Sequence, residues 1–159
     1  MTCLGSAGPW PRWISRAYEV QLREVHPGLY VGGRQAFTRA IEEGILFDEV
    51  ISFTARVCPE ELSQQPLQIV FHDGQPFPDG SLDLVQACTE EALYLGRPVL
   101  LHCQAGLSRS ASAAYALLRV RGLSADDAAL RVHAGYAKLP VPETIASAEA
   151  WALTHGARP

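Results

Sequence analysis

Apolar positions in this chain recur with two different periods, and the two alternate along its length. Glu19–Val25 and Leu29–Val31 read as strands, Glu49–Phe53 as a buried strand and Gln68–Phe71 as a further one. Between them, Phe37, Ala40 and Ile41 fall on one face of a helix over Gln35–Glu43, with Gly44 just past its end. Leu82, Val85, Thr89, Ala92 and Leu93 form the apolar stripe of a long helix over Ser81–Leu95, stopped by Gly96 and Pro98. Val99–His102 is a short apolar strand, and a helix follows it from Ser110 to Arg121, ending at Gly122. Ser124 with Asp127 makes a capping-box-like start for a helix to about Ala134. A last helix spans about Glu143–Thr154, with Ile145, Ala148, Trp151 and Ala152 inward. Alternating strands and helices predict an α/β domain over residues 18–156. Residues 1–17, rich in Gly, Pro and Trp and without a period, read as an arm. Trp10 and Trp13 either dock on the domain or belong to a disordered tail.

Chemistry concentrates where the Val99–His102 strand turns into the next helix. There the chain reads His102-Cys103-Gln104-Ala105-Gly106-Leu107-Ser108-Arg109-Ser110, with Cys103 and Arg109 six positions apart. A strand-to-helix loop can aim successive backbone N–H groups at one point and add the helix N-terminus, which makes an anion site. Gln104 to Arg109 would form that cradle. The planar fork of Arg109 suits two phosphate oxygens, and Gly106 turns the backbone where a Cβ would crowd the anion. Cys103 lies at the base of the loop. The donors that bind phosphate also favour a thiolate, the nucleophilic form of the side chain. Ser110 can hydrogen-bond the sulfur and ease its departure from a phosphocysteine. A cysteine after a strand is more often plain core. Here the apolar strand, the loop glycine, the serine after arginine and the helix all favour the cradle.

His-Cys-x-x-Gly-x-x-Arg-Ser resembles the signature of the cysteine-dependent protein tyrosine phosphatases. The length and surroundings look most like their small, single-domain dual-specificity branch, over about Glu24 to Leu153. Val25-His26-Pro27-Gly28-Leu29-Tyr30-Val31-Gly32-Gly33 is similar to that branch's opening strands, and Val50-Ile51-Ser52-Phe53-Thr54 to its next strand. The resemblance implies a central five-stranded mixed sheet with helices on both faces and the phosphate-binding loop between a central strand and a helix. It also implies a phosphocysteine intermediate, no metal and no cofactor.

The resemblance further implies a general acid, an aspartate roughly thirty residues before the cysteine. Asp73 stands thirty positions before Cys103 (103 − 73), after an apolar segment and among loop formers Gly74, Pro76 and Pro78. The rival, Asp79, is twenty-four positions before it (103 − 79) and is better explained as the N-cap of the Ser81 helix. His102 takes a supporting role by the same resemblance, as the residue that hydrogen-bonds the loop backbone. His72 could modulate the acid, although a plain loop histidine is the simpler reading. Cys58, in the loop after the Val50–Thr54 strand, is a candidate redox partner of Cys103, against the simpler reading of an unpaired loop thiol. One departure stands out: where the family often has Pro-Asn, whose asparagine braces the cradle, this chain has Pro142-Glu143. Either the brace is absent or another residue supplies it.

Composition narrows the partners. The chain has 159 residues, 48% of them hydrophobic and 19% charged, which is ordinary for one globular domain. A net charge of −4 and scattered basic residues argue against nucleic acid. No apolar stretch has membrane-spanning length, no secretory signal opens the chain, and Thr2 excludes N-myristoylation. The expectation is therefore a cytoplasmic protein, and nothing demands a partner subunit, so a monomer is expected. Cys3, Cys58, Cys88 and Cys103 lack C-x-x-C spacing, which argues against zinc or a disulfide framework. Cys88 falls in a helix pattern and reads as buried and inert. His26, His133 and His155 are scattered and make no metal constellation.

Gln104, Ala105, Leu107 and Ser108, the variable cradle positions, include no base to meet extra phosphates. The expected substrate is a single monoester: phosphotyrosine first, phosphoserine or phosphothreonine next, in proteins. A phosphoinositide, nucleotide or sugar phosphate is the alternative. Two other readings are a rhodanese-type sulfurtransferase and a non-catalytic phosphate-binding module. Asp73 and Ser110 argue against the first, and the presence of both Cys103 and Arg109 argues against the second.

Overall fold

The fold was obtained as a computed structural model, which describes residues 22–33, 36, 40, 42–55, 66–104, 108–133 and 142–159. Five strands form one mixed sheet: β1 (Leu22–His26), β2 (Leu29–Gly32), β3 (Glu49–Ser52), β4 (Leu67–Gln68) and β5 (Val99–His102). Their spatial order is β1-β2-β5-β3-β4. The β1–β2 hairpin is antiparallel, turned at Gly28, whose φ of 81° needs a residue without a Cβ. The pairs β2–β5, β5–β3 and β3–β4 are parallel. β5 is therefore the central strand, and all four of its residues are buried, as a parallel strand covered on both faces requires.

Strand periodicity divides the core in two. Val31, Ile51, Val99 and Leu101 point to one face, into the larger cluster. Val50 and Leu100, one step out of phase, point to the other with Ala36, Ala40 and Phe47. Ala36, Ala40 and Glu42 are helical, and Ala36 and Ala40 are buried on this second face. The sequence expected Phe37 and Ile41 on the inner side of that helix; both lie outside the described residues, as do Glu19–Gln21 and the arm.

The larger face carries α1 (Ser81–Tyr94), α2 (Arg109–Val120), α3 (Ala125–His133) and α4 (Pro142–Thr154). α2 sits in the middle, with every residue from Ser110 to Arg119 buried. Its alanines at 111, 113, 114 and 116 keep it slim enough to be covered by α3 and α4 as well as by the sheet. The stripe expected on α1 turns inward at Leu82, Val85, Thr89 and Ala92, with Leu93 half-buried beside it. Ser124 Oγ accepts the Asp127 N–H at 3.1 Å, the forward half of the expected capping box at the start of α3.

Two boundaries differ from the sequence reading. Asp79 does not cap α1; Gly80 does, at φ 75°, with no side-chain bond. The chain enters this helix through a left-handed turn, and that turn needs the glycine rather than a capping oxygen. The fourth strand ends at Gln68 rather than Phe71. Ile69 N–H still reaches Ser52 C=O at 2.8 Å, but beyond it the chain leaves the sheet edge.

Candidate active site

The carboxyl ends of parallel strands are where open α/β sheets place their ligands, and Cys103 leaves the sheet there, at the end of β5. Its N–H donates to Gly32 C=O at 3.2 Å, while Phe53 N–H donates to His102 C=O at 2.8 Å. The nucleophile candidate is thus held between the ends of β2 and β3 and is only 2% exposed. Cys103 Sγ lies 3.0 Å from Ser110 Oγ, in the first turn of α2. Gln104 is exposed; Ala105, Gly106 and Leu107, the middle of the predicted cradle, lie outside the described residues.

Ser108 stands at the N-cap position of α2 yet makes no side-chain cap. Its hydroxyl donates instead to Asp73 Oδ1 at 2.6 Å. That bond ties a loop thirty-five positions away to the residue before Arg109. The loop's two ends are rooted in the core by Phe71 and Phe77. These rings pack on one another (centroids 4.9 Å apart) and on Phe53 at 6.2 and 5.7 Å. Such aromatic pairs contribute about 0.5–1.5 kcal/mol each beyond burial. Between them Gly74 turns at φ 93°, and Gln75 N–H closes on His72 C=O at 3.1 Å. Asp73 and His72 are both exposed on that turn.

Arg109 is anchored from behind. Its Nη1 donates to Phe53 C=O at 2.9 Å and to Phe71 C=O at 2.8 Å. These carbonyls belong to the segments just past β3 and β4. The Phe71 carbonyl, past the end of β4, serves the arginine. Anchoring through Nη1 presents the Nε–Nη2 edge as the pair of parallel donors suited to an oxyanion.

His102 Nδ1 lies 3.2 Å from Ser52 Oγ, and Ser52 Oγ donates to Thr54 C=O at 2.9 Å. With its proton committed to that carbonyl, Ser52 Oγ accepts from Nδ1–H, which sets the histidine tautomer. Burial, and secondarily the Arg109 charge, push the His102 pKa down to about 4, so the ring is neutral.

The remaining candidates are elsewhere. Asp79 is exposed beside Gly80, and Cys58 lies outside the described residues. Cys88 is half-buried on α1, its thiol pushed up by burial and then by the charges of Glu49 and Glu91. His155, just past the end of α4, stacks on Trp151 and lies 2.7 Å from Asp83. Among the described residues, no group of three His, Cys, Asp or Glu side chains is placed to hold a metal ion. No helix among them is long and apolar enough to cross a membrane.

No protein-family model matches the sequence, and no curated protein does. Solved structures do match. Human DUSP28 superposes with a TM-score of 0.70 at 22% identity, covering 84% of this chain and 96% of that one. A mouse putative dual specificity phosphatase, complexed with zinc tungstate, gives 0.69 at 24%, covering 95% and 93%. PTPMT1 in complex with PI(5)P gives 0.68 at 16%, covering 84% and 96%. The fold is that of the small dual-specificity phosphatases.

Within this dual-specificity phosphatase fold, the sequence reading missed three polar residues. Ser52, inside an apolar strand, carries His102. Thr144 and Ser147, in the opening turns of α4, hold the Asp73 loop. Thr144 Oγ1 accepts Gly74 N–H at 3.1 Å and donates to Gln75 C=O at 3.0 Å. Ser147 Oγ accepts Phe77 N–H at 3.0 Å. The one available signal was their spacing, since Thr144, Ser147 and the inward Ala148 share a helix face.

Proposed function

We propose that the protein is a cysteine-dependent phosphatase of phosphomonoesters that works through a phosphocysteine. The observation that carries this reading is the 2.6 Å bond from Ser108 to Asp73. It draws a loop carboxylate to the mouth of a cysteine–arginine loop, the arrangement a phosphatase needs and a sulfurtransferase does not. Cys103 thiolate attacks phosphorus in line, forming the S–P bond as the P–O ester bond breaks. Arg109, through Nε and Nη2, and the N–H groups of residues 104–109 hold the equatorial oxygens, which carry the transition-state charge. Asp73, as the carboxylic acid, gives its proton to the leaving oxygen. As carboxylate it then takes a proton from water, whose oxygen attacks phosphorus. Inorganic phosphate leaves, and the sulfur departs as a thiolate stabilised by a hydrogen bond from Ser110. His102 supports the loop as a neutral ring.

The substrate class we favour is phosphotyrosine in proteins, then phosphoserine and phosphothreonine, because no basic side chain stands at positions 104–108 to meet a second phosphate. PTPMT1, whose structure holds PI(5)P, motivates a phosphoinositide as the second reading. The mouse putative phosphatase, complexed with zinc tungstate, motivates an oxyanion as the kind of ligand to test. The test is a hydrolysis panel of phosphotyrosine peptide, phosphoserine peptide, PI(5)P and p-nitrophenyl phosphate, each with wild type and Cys103→Ser. We expect phosphotyrosine to be the best of the three biological substrates. Cys103→Ser should be inactive on all four while still binding phosphate. Turnover that survives the substitution would overturn the mechanism; PI(5)P as the preferred substrate would overturn the protein-directed reading alone.

A further inference from the structure

Thr144 is fully buried, yet its hydroxyl spends both its acceptor and its donor on the backbone of one exposed turn. That turn is the one bearing Asp73. Ser147, a helical turn further on, accepts from Phe77 at the loop's far end and donates to Thr144 C=O at 2.8 Å. Ser108 holds the Asp73 carboxylate itself. The loop is therefore gripped by hydroxyls from two helices, α2 at the side chain and α4 at the backbone. α4 reaches it by a route outside the cysteine–arginine loop: it packs on α2 and begins at Pro142, where the sequence departs from the expected Pro-Asn.

We propose that Thr144 is a positioning residue for proton transfer by Asp73, with Ser147 as its second support. This rests on the assignment of Asp73 as the acid. A loop that must expose a carboxylate cannot also bury apolar residues at its tip. Its conformation must then be fixed through its backbone, and Gly74 N–H and Gln75 C=O are the groups on either side of the turn. Losing the Thr144 hydroxyl strands both groups without altering the cysteine–arginine loop, so it should impair the acid and leave thiolate attack intact. Misplacement by about 1 Å of a catalytic group costs up to about 100-fold.

The experiment compares p-nitrophenyl phosphate, whose leaving group needs little help, with phenyl phosphate, whose leaving group needs a proton. Asp73→Asn should lose about 100-fold or more on phenyl phosphate and far less on p-nitrophenyl phosphate. Thr144→Val should show the same selectivity at about tenfold, a fraction of the full acid contribution. Thr144→Ser, which keeps the hydroxyl, should restore activity on phenyl phosphate. Thr144→Val added to Asp73→Asn should slow it no further. Equal loss on both substrates, failure of rescue by serine, or additivity in the double variant would overturn the inference. If Asp73→Asn shows no leaving-group selectivity, the acid assignment itself fails, and this proposal with it. If Asp73→Asn is selective and Thr144→Val is not, only Thr144 is wrongly assigned. Should Thr144→Val not fold, Ser147→Ala carries the same expectation of selective loss, and its absence the same refutation.

Discussion

At the scale of single residues, Arg109 serves both the fold and the site, whereas Ser110 serves the site alone. Arg109 fastens the segments past β3 and β4 through Phe53 and Phe71 while offering a two-donor edge to an anion. Lysine has neither the planar fork nor the reach to make both kinds of bond. Arg109→Lys should therefore cut kcat/KM by about 100- to 1,000-fold, the loss typical of a transition-state oxyanion donor. It should also weaken inhibition by vanadate; a kinetic assay with and without vanadate reads both. Ser110 faces the sulfur at 3.0 Å, and the proposed mechanism uses it only when the sulfur departs. Ser110→Ala should leave phosphocysteine formation nearly intact and slow its hydrolysis. Rapid-quench measurement should then show a burst of released leaving group followed by slow turnover. A variant slowed with no burst would place Ser110 in the first step instead.

At the scale of elements, the contact of α2 with α4 is organised by one buried charge. Arg119 is 2% exposed and lies 2.7 Å from Glu149, with Nε also donating to Glu149 and further bonds to Leu123 and Arg158 carbonyls. Tyr115 donates to the same carboxylate at 2.6 Å. The Arg119 hydrogen bond holds the Glu149 carboxyl below its ordinary value despite burial. Breaking such a pair from one side strands the other charge. Glu149→Gln should cost about 3 kcal/mol and lower Tm by about 6–12 °C in a domain of this size; Arg119→Met with Glu149→Leu should recover part of it. Calorimetry on the three proteins checks this. Helices such as α1 and α2 were legible in the sequence because their apolar stripes repeat with helical period and end at Gly96 and Gly122. β5 was legible as an unbroken apolar run. The Arg119–Glu149 pair was not, because no local pattern marks a contact between residues thirty positions apart. Thr144 escaped for the same reason, and Gly80 displaced Asp79 as the cap of α1 because backbone handedness outweighed side-chain preference there.

At the scale of the molecule, the site and the stability of the fold share one titrating group. His102 lies on the central strand between the two cores, bonded to Ser52 and followed directly by Cys103. Its pKa is lowered from 6.5 to about 4, first by burial and then by Arg109. The sign of the linkage follows. Below pH 6.5 the unfolded chain takes up a proton at this position, while the folded one stays neutral down to about pH 4. The unfolded state then binds more protons, so stability falls as the pH is lowered through that window. The full shift corresponds to about 3 kcal/mol, a sizeable share of a typical domain's stability. Glu149 acts in the same direction but lower. Its depressed folded pKa stabilises above pH 4.5 and is lost only as the pH falls further. Urea midpoints measured from pH 7 to pH 4 should therefore decline most steeply between about pH 6 and pH 4.5. His102→Asn, which keeps a donor for Ser52, should flatten that decline while leaving the Glu149-linked loss at lower pH in place. A slope unchanged by His102→Asn would show that another of the chain's histidines, His26 among them, carries the protonation, and that the central strand is not where this fold senses acid.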